Sequence, residues 1–98
     1  MNREQVIATL RAHESELRHR GVLHAALFGS VARGENGPRS DIDIMIEIDP
    51  DAKVGIFEYA GIKRVIADLF QERVDVVNRE TLKSFVRQLA ESDAISVF

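Results

Sequence analysis

Apolar residues recur at helical spacing from the start of the chain. Val6, Leu10, His13 and Leu17, with Ile7 beside them, predict a helix over residues 2–20, and Gly21 is a natural stop. The apolar run VLHAALF predicts a strand over 22–28. A compact turn is expected at Gly29-Ser30, then one or two helical turns over 31–34 and a loop over 35–40, ENGPRS. From Asp41 to Ile48 polar and apolar residues alternate, predicting a second strand that Pro50 ends. Ile62, Val65, Ile66 and Leu69 form the stripe of a helix over 54–70, weakened in its first half by Gly55 and Gly61. RVDVV, residues 73–77, reads as a third strand. Asn78 is placed to cap a last helix over 79–91, with Leu82, Phe85, Val86 and Leu89 on one face. The tail 94–98, AISVF, reads as a short edge strand or a partner-contacting segment, with Ile95, Val97 and Phe98 lacking an obvious core partner. The order α-β-α-β-α-β-α predicts an α/β fold, a small mixed sheet with helices packed on it.

Length and composition narrow the picture. The 98 residues suit one domain, 1–98, with no room for a separate substrate lobe. A net charge of −3 with mixed signs argues against a dedicated nucleic-acid-coating protein, whose footprint would be basic. No cysteine is present, which removes disulfides and thiolate metal sites and fits a cytoplasmic location. The charged N-terminus has no signal-peptide core, and no apolar run approaches the roughly 20 residues needed to span a bilayer. Phe28 is expected under the turn. Phe57, Phe70 and Phe85 are expected in the core, and Tyr59 suits core, interface or base contact equally. His24 reads as a satisfied core or edge residue, His13 and His19 as surface groups.

Three pieces carry chemistry. Asp41 and Asp43 lie two apart on one strand, so they share a face, with Ile42, Ile44, Ile46 and Ile48 on the other. Adjacent carboxylates repel and raise their own pKa values unless a cation sits between them. Mg²⁺ suits oxygen ligands of this kind and usually contacts substrate phosphates as well. Gly29-Ser30 is the second piece, a turn where backbone can approach a phosphate closely and a hydroxyl adds a donor. The third is Asp75, set between Val74 and Val76, which joins the acidic pair if its strand neighbours theirs. Three carboxylates beside a phosphate turn are the parts of metal-assisted nucleotidyl transfer, whose paired metals sit about 3.5–4 Å apart. The plainer readings are a solvated strand face for the aspartates and an ordinary turn for Gly29-Ser30.

Gly29-Ser30, Arg33-Gly34 and Ser40-Asp41-Ile42-Asp43 resemble the GSxxxG…SDxD signature of the polymerase-β-type nucleotidyltransferases. The short length and RVDVV resemble the minimal nucleotidyltransferase (MNT) subgroup, whose members often act as antitoxins beside HEPN-domain RNase toxins. The resemblance implies that Gly29, Ser30, Arg33 and Ser40 bind the nucleotide. It implies that Asp41 and Asp43 hold two Mg²⁺ ions, and that Asp75 completes the nucleophile-side ion and helps deprotonate the acceptor. It implies ATP as substrate, AMP as the group moved, a protein hydroxyl as acceptor and a HEPN-type toxin as partner. Two alternatives stay open: an antitoxin that masks its toxin by binding alone, and transfer to a small molecule.

Overall fold

The structure is a computed structural model in which residues 1–35, 37 and 40–98 are described. Helix α1 spans Arg3–Ala12 and opens on a reciprocal cap, in which Asn2 Oδ1 accepts from the Gln5 N–H and Gln5 Oε1 from the Asn2 N–H, each at 2.9 Å. The helix expected over 2–20 is two helices, because α2 runs separately over Glu14–His19. The break lies at His13. Its ring Nδ1 is 2.9 Å from the Thr9 carbonyl, the acceptor its own backbone would use in a continuous helix, and its N–H turns instead to Leu10 O at 3.1 Å.

Strand β1, Val22–Phe28, runs straight into the short helix α3, Gly29–Arg33. The loop expected over 35–40 falls partly outside the described residues, at 36, 38 and 39. Strand β2, Ile42–Ile48, is followed by a 3-10 turn at Pro50–Ala52 and helix α4, Ile56–Asp68. Strand β3, Val74–Asn78, a second 3-10 turn at Arg79–Thr81, helix α5, Ser84–Asp93, and strand β4, Ile95–Ser96, complete the order.

The sheet is mixed, in the order β3-β2-β1-β4. The β1–β2 and β1–β4 pairs are antiparallel, and β2–β3 is parallel, as the crossover through α4 requires. Register slips by one residue between Val22 and His24. The slip lets Val22, Ala25 and Leu27 all reach the core, although strict alternation would have put Val22 on the other face. They meet Ile42, Ile44, Ile46 and Val76 from the sheet, and Val6, Leu10, Leu17, Ile62 and Ile66 from α1, α2 and α4. The opposite, more open face carries Asp43, Met45 and Glu47 of β2; α5 lies over its Phe28 end, and His24, Met45, Glu47 and Ser96 surround a shallow depression. Among the described residues, no helix is long and apolar enough to cross a membrane.

Three further expectations need correction. The last helix starts at Ser84, not 79, because Asn78 Oδ1 caps the 3-10 turn instead, accepting from Glu80 N–H at 3.0 Å, and Leu82 is extended. Phe57 and Phe85 are not core residues; they are 87% and 73% exposed, whereas Phe70 is buried. His24 is exposed on the open face, with Nε2 3.9 Å from a Glu47 carboxylate oxygen. Of the two readings of the tail, the edge strand holds, and Val97, expected to lack a core partner, has one. Ile95 and Ser96 pair with Leu27 and Ala26, the Val97 N–H donates to Ala25 O at 2.9 Å, and Val97 is buried.

Candidate active site

The site forms where β1 turns into α3, beside the leading ends of β2 and β3. Phe28 is the register partner of Asp43 across β1–β2, and Asp75 is the partner of Asp43 across β2–β3. Residues opposite one another in a ladder share a face, so Asp43 lies between Phe28 and Asp75 on the open side of the sheet. Ile42, which begins the parallel ladder by donating its N–H to Arg73 O at 2.9 Å, is buried on the other side. Asp41 precedes the strand and is half-buried. Asp75 is exposed on the edge strand.

These groups feel one another's charge. Burial pushes the Asp43 carboxyl above the usual carboxylate range, Asp75 and Asp41 push it further the same way, and Arg33 pulls it back. The site is therefore an acidic patch with Asp43 as its coupled centre. Among the described residues, no three acidic or histidine side chains close on one point tightly enough to hold an ion as they stand. The donor set is nonetheless all carboxylate oxygen, which is the chemistry of a hard divalent cation.

Gly29 belongs to the same cluster. Its φ is +75°, in the left-handed region, and a Cβ built there would overlap the Asp43 carboxylate. Only glycine lets the α3 backbone come this close to Asp43. Ser30 follows, half-buried, and its hydroxyl makes no hydrogen bond among the described residues, while its carbonyl accepts from Glu35 N–H at 2.9 Å. Ser40 is used in the loop before β2, its Oγ accepting from the Gly37 N–H at 2.9 Å.

Arg33 stands at the edge of this group and is engaged within the chain. Its Nε donates to Glu35 at 3.0 Å and its Nη1 to Asp93 on α5 at 2.6 Å. Both hydrogen bonds hold its guanidinium pKa above the ordinary value. The pattern of α5 gave no sign of Asp93 as a partner for Arg33. Tyr59, left open by the sequence, is half-buried on α4; burial raises its hydroxyl pKa and the charge of Asp75 adds to that. Tyr59 lines a groove with Ile48, Asn78 and Thr81, toward the trailing ends of β2 and β3.

The profile of the nucleotidyltransferase domain matches residues 10–97. A Methanocaldococcus jannaschii protein, provisionally named a protein adenylyltransferase, is 34% identical over 90 residues, covering 90% of each chain. The protein adenylyltransferase MntA of Thermococcus cleftensis is 30% identical over 95 residues, covering 96% of this chain and 94% of its own. A solved structure provisionally described as a minimal nucleotidyltransferase superposes with a TM-score of 0.81 at 29% identity, over 97% of this chain and 95% of that one. A more distant likeness is in fold alone. At TM-score 0.63 and 16% identity, over 90% of this chain and 68% of the other, it is to a Shewanella oneidensis complex of a tri-AMPylated HEPN toxin with an MNT antitoxin.

Proposed function

This chain belongs to the nucleotidyltransferase-domain family, and we propose that it transfers AMP from ATP to a hydroxyl of a HEPN-type toxin, neutralising it in the cytoplasm. The observation that carries the reading is the meeting of Gly29, Asp43 and Asp75 at one corner of the sheet. The names of the sequence relatives support a protein acceptor, and the AMPylated toxin complex among the fold neighbours supports its class.

Each residue has a task in this reading. The backbone at Gly29 and the Ser30 hydroxyl receive the phosphates, with Ser40 shaping the loop that brings in β2. Arg33 adds positive charge beside the triphosphate from its place at the edge of the turn, held by Glu35 and Asp93. Asp41, Asp43 and Asp75 would hold Mg²⁺, two ions in the full arrangement, which would supply charge neutralisation and acidify the acceptor hydroxyl. Asp75, exposed at the edge, faces the incoming acceptor and takes the hydroxyl proton on a carboxylate oxygen. The acceptor oxygen bonds to the α-phosphorus, the bond from that phosphorus to the β-bridging oxygen breaks, and pyrophosphate leaves.

The test uses ATP labelled at either the α- or the γ-phosphorus, Mg²⁺ and a purified HEPN-type toxin. Label on the toxin from the α-position alone is expected. Transfer of the γ-label, or no label from either, would overturn the proposal. Ile56 and Phe57, 84% and 87% exposed on α4, favour a protein-contacting role, and neutralisation by contact alone is the second reading.

A further inference from the structure

Helix α5 lies beside the end of β1 and leaves a slot between them. Val86, Leu89, Ala90 and Asp93, spaced i, i+3, i+4 and i+7 along one helical face, form one wall. Phe28, Gly29 and Arg33 form the other, and the Arg33–Asp93 ion pair joins the two walls. Val86 and Leu89 remain 45% and 57% exposed although they flank a cavity, so apolar surface is left in water right beside the glycine turn.

Size and lining both bear on what fits. The slot holds about 230 Å³. That is below the roughly 300–1,000 Å³ of a site enclosing a whole drug-sized ligand. It is a shallow slot open to solvent, as the exposure of Val86 and Leu89 shows, and one flat heterocycle can lie in it. Apart from the paired Arg33 and Asp93, its walls are apolar side chains and the Gly29 backbone. Gly29 is shared between the slot and the acidic patch, so a triphosphate lying at the turn would have its nucleoside end within reach of the slot.

We infer that this slot seats the nucleobase of the nucleoside triphosphate, packed between Phe28 on β1 and Val86 and Leu89 on α5. The inference rests on the nucleotide reading above and assigns α5 a substrate-binding role. Val86 and Leu89 are specificity residues here, acting on the base and not on the reacting phosphorus.

The test separates base from phosphate. Calorimetric titrations with Mg²⁺ compare ATP with inorganic tripolyphosphate, for wild type, the double variant Val86→Ser with Leu89→Ser, the single variant Leu89→Ser, and Phe85→Ser as a control off the slot. Wild type is expected to bind ATP more tightly than tripolyphosphate. The double variant should lose at least tenfold in ATP affinity with tripolyphosphate unchanged, and retained tripolyphosphate binding shows that it is folded. Leu89→Ser should show a smaller loss of the same kind, and Phe85→Ser none. Equal wild-type affinity for ATP and tripolyphosphate, or unchanged ATP affinity in the double variant, would overturn the slot and leave the phosphate site standing. Equal loss of both ligands would also overturn it. Binding of neither ligand to wild type would remove the nucleotide reading and the slot together.

Discussion

Asp43 and Asp75 stand opposite one another across the parallel β2–β3 pair, and Gly29 closes on Asp43 from the α3 side. Burial, then Asp75, then Asp41 push the Asp43 pKa up. The folded state therefore holds the Asp43 proton more tightly than the unfolded chain does. Stability linked to that proton is full below the unfolded value and is lost as pH rises through the raised folded value. At neutral pH the ionised Asp43 is a burden on the metal-free fold. Asp43→Asn is expected to melt higher than wild type at neutral pH in EDTA, with the advantage shrinking as the solution is made acidic. Added Mg²⁺ should raise the wild-type melting temperature more than that of the variant. Scanning calorimetry across pH, with and without Mg²⁺, checks both signs.

Gly29 and Gly34 offer a controlled pair. Both have left-handed backbone, φ +75° and +73°, but a Cβ at Gly34 would meet nothing within 4 Å, whereas one at Gly29 runs into Asp43. Gly34→Ala should cost about 1–2 kcal/mol for backbone strain alone. Gly29→Ala should cost at least as much and should also weaken nucleotide binding, which Gly34→Ala should leave intact. Thermal melts and ATP titrations on the two variants make the comparison.

Ser30→Ala should leave the melting temperature unchanged, because the hydroxyl has no hydrogen bond to lose among the described residues. It should weaken ATP binding by about 1.5–3 kcal/mol, the contribution of a hydrogen bond to a charged group. Titration calorimetry reads this directly, and unchanged affinity would place the phosphates away from the turn.

The exposure of Phe57 has a simple consequence. Phe57→Ser should change stability by no more than about 0.5 kcal/mol, as surface substitutions usually do. Phe70→Ala, from a buried position, should cost about 3–5 kcal/mol. Urea unfolding of the two variants distinguishes them.

The contrast between these phenylalanines shows what the sequence could and could not convey. Alternation along 41–48 places Ile42, Ile44 and Ile46 in the core and Asp43 outside it, because a half-buried strand has only two faces. The position of Asp75 beside Asp43 depended on strand order, and the βαβ crossover through α4 supplied it. A helical stripe does not reveal whether anything covers it. Phe85, Val86 and Leu89 have core periodicity, yet α5 turns them toward solvent and the slot. The tail was legible as an edge strand, but not the neighbour it pairs with. Pairing with β1 at Leu27 and Ala26 buries Val97, a long-range contact that no local pattern encodes. Local chemistry also misled at two joints: the His13 ring splits the first helix, and Asn78 caps a 3-10 turn instead of α5.

Asp75→Asn tests the central claim most directly, with the variant co-expressed with a HEPN-type toxin while toxin mass and cell growth are measured. The account predicts that the variant still binds the toxin, that the mass increment of AMP seen with wild type is absent, and that toxicity returns. Full neutralisation by Asp75→Asn with no added mass would contradict it.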